Sequence, residues 1–144
     1  MQLHRHPIDG ESREHRQFLA MDRALLCHGG LITGDDLTLL LRTRSDQPIS
    51  IIARWIVARK IMSFTWREQT LIPLFQFNLR DVSLRTSVMN AADELRTVFD
   101  DWELVRWFTE PNGWLRDAAP VDLIHYDDQA VLQAARADRF VAHV

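Results

Sequence analysis

The side chains best equipped for chemistry are Cys27 beside His28, and His125 with Asp122, Asp127 and Asp128 around it. Nucleophilic catalysis would require Cys27, or a serine, with a histidine and an orienting carboxylate. Cys27 falls on a predicted core helix that ends at His28, so the pair reads as a packing thiol and a helix-end histidine. His125 and its aspartates could be drawn as a metal or acid–base cluster. Each aspartate, however, occupies a predicted turn or cap position, and no second histidine stands at ligand spacing. His4, His6 and His15 have no cysteine or carboxylate cluster to complete a metal site. Gly29-Gly30 is too short for a phosphate-binding loop, since neither G-x-G-x-x-G nor G-x-x-x-x-G-K-[ST] follows. The 20 acidic residues offer no pair that spacing alone singles out for glycoside chemistry. The sequence therefore predicts no catalytic residue, no metal and no cofactor.

Binding chemistry is better represented. A net charge of −3 argues against coating nucleic acid or membrane through bulk charge, yet the charge is unevenly spread. Arg42, Arg44, Arg54, Arg59, Lys60 and Arg67 face only Asp46 and Glu68 in the middle of the chain. From Asp93 to Asp128, ten acids stand against three arginines. Within the basic middle, Ser50, Arg54 and Ala58 form one row of a helix opened by Asp46-Gln47-Pro48. Small residues beside an arginine let a helix approach a phosphate backbone while the guanidinium reaches phosphate or a base edge. Ser50, Arg54, Arg59, Lys60 and Arg67 are accordingly the candidate DNA-binding residues. The alternative is an α+β lobe whose arginines are only solvated.

The elements that must position these residues follow from periodicity. Residues 1–14 are polar and contain Pro7 and Gly10, which reads as a loose arm. Phe18, Met21 and Leu25 recur at helical spacing before a Gly29-Gly30 stop. Thr33 and Asp36 make a capping-box-like start for a helix through Leu37, Leu40 and Leu41. Ile49, Ile52, Ala53, Ile56 and Val57 define the buried stripe expected of the basic helix. Ile61 to Trp66 and Thr70 to Phe77 read as a hairpin with Arg67-Glu68-Gln69 at its tip, Pro73 making the second strand an edge or bulged strand. Helix, turn, basic helix and hairpin in that order is the layout of a winged helix-turn-helix. Trp55 and Trp66 read as half-buried packing residues. Asn78 to Ser83 is a polar joint and the predicted boundary between lobes.

Beyond the joint, Val88, Ala91, Ala92, Leu95, Val98 and Phe99 mark an amphipathic helix. Asp100 or Asp101 caps a further helix to about Thr109 that carries Leu104, Val105 and Phe108 on one face. Pro111 forces a turn over Glu110 to Asn112. Trp114 and Leu115 form a short apolar anchor, Arg116 to Ala119 a second turn, and Pro120 to Ile124 packs back. Asp127 or Asp128 caps a final helix bearing Val131, Leu132, Ala134 and Ala135.

Trp107, Thr109-Glu110-Pro111-Asn112 and Leu115, followed by Ala119-Pro120, Leu123 and Val131, resemble the toxin-binding domain of the Xre/MbcA/ParS-type antitoxins. The pattern is W-x-T-x-P-N-x-x-L, then A-P-x-x-L, then a closing helix, and it covers roughly the last 45 residues. Upstream, Pro73-Leu74-Phe75-Gln76-Phe77 looks like the P-x-F-Q-F segment of some members. The family usually has glycine in the turn where this chain has Asp117, a residue that tolerates left-handed backbone better than most. The resemblance implies a non-enzymatic protein whose acidic C-terminal module binds and neutralises a partner, a toxin of the NAD-degrading RES type. It implies Trp107, Pro111, Asn112, Trp114, Leu115 and Pro120 as partner-binding residues, with double-stranded DNA as a further ligand in a transcription-regulating role. The family commonly carries an Xre-type helix-turn-helix upstream, a pattern not clear in this chain.

At 144 residues and 47% hydrophobic, the chain can form one compact core or two small lobes sharing one. A single cysteine excludes an internal disulfide. The N-terminus has no hydrophobic signal core, and no apolar run approaches the ~20 residues of a membrane span. The expectation is thus a cytoplasmic, mainly α (α+β) homodimer. It comprises an arm over 1–14, a winged-helix-like region over 15–78 with a β-hairpin, and a helical toxin-binding domain over 79–144. The competing expectation from another class is a homo-oligomeric scaffold with neither toxin nor DNA ligand, burying Trp107 and Trp114 in a symmetric dimer.

Overall fold

Apolar residues at helical spacing build the first element, α1 (Asp9–Leu25), in a computed structural model that describes residues 9–143. The helix begins earlier than the arm predicted over 1–14 allows. Once packed turns anchor a helix, it propagates through polar residues at little cost. The rest of that arm, with His4 and His6, lies outside the described residues. A 3-10 turn (Leu26–His28) follows, and Gly29 ends it in the left-handed conformation at φ 94°.

A short strand that periodicity does not reveal, β1 (Leu31–Thr33), precedes α2 (Gly34–Leu41). Thr33 caps α2, its hydroxyl accepting from the Asp36 amide at 3.1 Å. α3 (Pro48–Val57) starts on Pro48, whose missing N–H is no loss in a first turn. β2 (Phe64–Trp66) and β3 (Gln69–Pro73) form the predicted hairpin in shorter form. Arg67 and Glu68 alone make its tip, both at positive φ (49° and 67°). That is the geometry a two-residue turn needs to match the twist of its strands. The strand order is β1-β3-β2, all antiparallel, so β3 is central rather than an edge strand. Pro73 is tolerated there because it is the last residue of the ladder, opposite Leu31.

The remaining elements are β4 (Phe77–Asn78), β5 (Ser83–Leu84), α4 (Thr86–Leu95), α5 (Asp101–Thr109), α6 (Pro120–Leu123) and α7 (Asp128–His143). The fold is mainly helical with a small antiparallel sheet, as expected. Asn78 to Ser83, the predicted boundary, lies in a tight strand pair with Phe77 opposite Leu84 and Asn78 opposite Ser83. Two apolar clusters fill the molecule. One lies under α2, α3 and the sheet, with Leu37, Leu41, Ile52, Ile61, Ile72 and Phe77. The other joins Met21 and Leu25 of α1, with Met62, Phe64 and Phe75, to the buried faces of α4, α5 and α7. The second core therefore draws on both sides of the predicted boundary. Gln76 stitches it from within: its amide accepts from Met62 N at 2.8 Å and donates to Met62 O and Pro73 O. A buried amide needs such complete pairing.

Candidate functional site

Asp100 opens α5 with a capping box, its carboxylate accepting from Glu103 N while the Glu103 carboxylate accepts from Asp100 N. Leu104, Val105 and Phe108 are buried as expected. Pro111 stops the helix, and Glu110 before it is extended (φ −95°, ψ 151°). Asn112 then organises the loop. Its side-chain oxygen accepts from Trp114 N at 2.9 Å, and its backbone pairs with Ala118 across the turn. Arg116 and Asp117 close the turn at φ 56° and 66°, so Asp117 adopts the left-handed backbone that glycine usually supplies.

The convergence point of this loop is Asp138, on α7. One of its oxygens accepts from Trp107 Nε1 at 2.7 Å and Asn112 Nδ2 at 3.1 Å, and the other accepts from Trp114 Nε1 at 2.8 Å. A carboxylate can take several donors at once, and charge-assisted bonds are the stronger kind. The result is a hollow of about 180 Å³ between Pro111, Trp114 and Asp138. Trp107 is 9% exposed and belongs to the core, whereas Trp114 is 59% exposed with its N–H already engaged. Leu115, Pro120 and Asn112 are buried too, so these partner-binding candidates, like Trp107, are scaffold. Pro111 and Trp114 form the outward surface.

Of the DNA-binding candidates, Arg54 and Lys60 line one hollow beside α3, whereas Arg59 and Arg67 are engaged in contacts of their own. Ser50 and Arg54 are exposed on α3, and Lys60 is exposed just beyond it. Arg59 is engaged elsewhere, donating to Asp101 Oδ1 at 2.8 Å and towards the carbonyls of Arg96 and Phe99. Arg67 sits at the hairpin tip, its guanidinium 5.8 Å over Trp66 and near His15. Trp66 itself stacks on Phe18 at 4.4 Å and on Trp102, as a packing residue does. The stripe expected to bury α3 is also rotated. Ile51, Ile52, Trp55 and Ile56 turn inward, while Ile49 and Val57 stand 69% and 84% exposed. A helix apolar on more than one side has no single periodic solution.

Cys27 is exposed, not a packing thiol. His28 Nε2 meets Asp122 Oδ1 at 2.7 Å, a pairing across 94 residues of sequence that turn chemistry at Asp122 did not foreshadow. Among the described residues no group of three His, Cys, Asp or Glu side chains is placed to hold a metal ion. No helix among them is long and apolar enough to cross a membrane. No family model, curated protein or solved structure matches the chain.

Proposed function

We propose that this chain is a non-enzymatic, antitoxin-like protein whose C-terminal module binds a partner protein through Trp114 and Pro111. The observation that carries the reading is the Asp138 clamp, which fixes a largely exposed indole in one pose. A rigid aromatic anchor loses little conformational freedom on binding, and such anchors dominate interface energetics. Glu110, an acid lining the same hollow, helps steer a basic partner into encounter. The resemblance of W-x-T-x-P-N to the Xre/MbcA/ParS-type antitoxins names the partner class: a RES-type toxin whose NAD-degrading site the protein covers.

The test is inhibition of such a toxin by full-length protein and by Trp114→Ala. Loss of the anchor should weaken binding by about 2 kcal/mol, or roughly 30-fold in Kd. Equal inhibition by the two proteins, or none by either, would sink the reading.

The layout α1-β1-α2-α3-β2-β3, with β3 central, supports a winged helix-turn-helix in the N-terminal half, with Ser50 and Arg54 facing DNA. Ile49 and Val57 on the same helix favour a second reading, self-association through α3, since exposed apolar residues on one element mark protein contacts.

A further inference from the structure

A pocket of about 260 Å³ lies between the N-terminal half and the C-terminal helices. Its apolar wall is Leu74, Phe75, Phe77 and Leu79. Its polar side carries His28, Arg85 and His125, three nitrogen-bearing groups brought together from distant parts of the chain. We infer that this seam pocket binds the oxyanion group, carboxylate or phosphate, of a small molecule with an apolar body.

The arrangement is held in place by contacts on each side. Arg85 donates through Nε to the Phe77 carbonyl at 2.9 Å, and its amide donates to Gln76 O at the same distance. This tether ends on a carbonyl, not a carboxylate, so it fixes the guanidinium without neutralising it. Gly29 forms a tight wall: a Cβ there would stand 3.1 Å from the Leu74 Cβ, on backbone already at φ 94°. The one acid paired at this site, Asp122, sits on His28. The rest of the positive field falls on His125, whose pKa is held below its ordinary value by burial first, then by Arg85 and His28. An anion placed among these groups relieves that repulsion and gains charge-assisted hydrogen bonds. A pocket of this size lies just below the usual range for drug-sized ligands, ~300 Å³ and above, which favours a small occupant.

Cys27 lines the same pocket and is the only cysteine, so its alkylation reports occupancy directly. Full-length protein is treated with iodoacetamide in the presence of inorganic phosphate, benzoate or uncharged benzyl alcohol. The modified fraction is followed by mass spectrometry. A bound anion should slow alkylation about tenfold when it stands at roughly ten times its Kd. Protection by phosphate alone identifies the oxyanion as sufficient, and protection by benzoate alone adds the apolar body to the requirement. Benzoate protection should strengthen as pH falls from about 8 to about 6, because the anion favours the imidazolium of His125. His125→Gln, at a partly exposed ring, and Arg85→Met, with folding checked by circular dichroism, should both lose protection. Equal protection by benzyl alcohol, protection retained in both variants, or none by either anion overturns the site.

Discussion

Asp138 collects three N–H groups on one carboxylate and thereby ties the Pro111 turn to the last helix. Removing it leaves the partly buried Trp107 indole and the Asn112 amide without their acceptor, which costs about 1–3 kcal/mol for each buried group. Asp138→Ala should therefore lower stability by about 3 kcal/mol, seen as a shifted urea midpoint at unchanged slope. The clamp was partly legible. Val131, Ala134 and Ala135 define the buried stripe of α7, and Asp138 continues it at the next i+3/i+4 step, where a charge is out of place unless paired. Two tryptophans and an asparagine with N–H groups to satisfy were the other half of the signal, but their partner lies 24 to 31 residues away. His125 makes a prediction of opposite sign to a clamp. Its folded pKa is lowered below the ordinary 6.5 by burial, Arg85 and His28. As pH falls through 6.5 the unfolded chain takes the proton first, so stability drops until the folded ring also titrates, and is flat below that. Thermal melts from about pH 8 to about pH 5 should show this loss in the parent protein and its absence in His125→Gln.

At the scale of elements, α3 carries two incompatible surfaces on one exposed side. Arg54 and Ser50 suit a phosphate backbone, whereas Ile49 and Val57 suit another protein. Arg54→Ala should reduce the salt dependence of any DNA affinity by about one counterion. Val57→Glu should leave the melting temperature nearly unchanged, within about 0.5 kcal/mol at a surface site, while shifting a dimer to monomer in analytical ultracentrifugation. A dimer that survives Val57→Glu removes α3 from its interface. Most helices were readable because caps and prolines mark their ends: Pro48, Thr33, Asp100 and Pro111 each stand where they were expected to act. What escaped was orientation and the shortest strand. The apolar residues of α3 spread over more than half its circumference, and β1 is only 3 residues long, defined by its partner β3 rather than by any alternation of its own.

At the scale of the molecule, no line divides one lobe from the other. Met21, Leu25, Met62, Phe64 and Phe75 from the first half share a core with Leu104, Phe108 and Val131 from the second. Arg59 adds a polar tie across the same seam through its ion pair with Asp101. A fragment spanning residues 79–144 should therefore lack cooperative unfolding, because it exposes the face that α1 and Phe75 cover. A sharp melt for that fragment by circular dichroism would refute the shared core. Composition suggests the opposite, since polar stretches often separate domains, yet Asn78 to Ser83 is a strand-pair turn whose Val82 is buried in a core. The shared core also sets an order of events during synthesis. α5, against which α1 packs, is translated more than 70 residues after it. Phe64, Trp66 and Phe75 cover part of the apolar face of α1 earlier, but the part that α5 covers must wait for that helix. Protection of that face from proteases thus waits for the docking of α5.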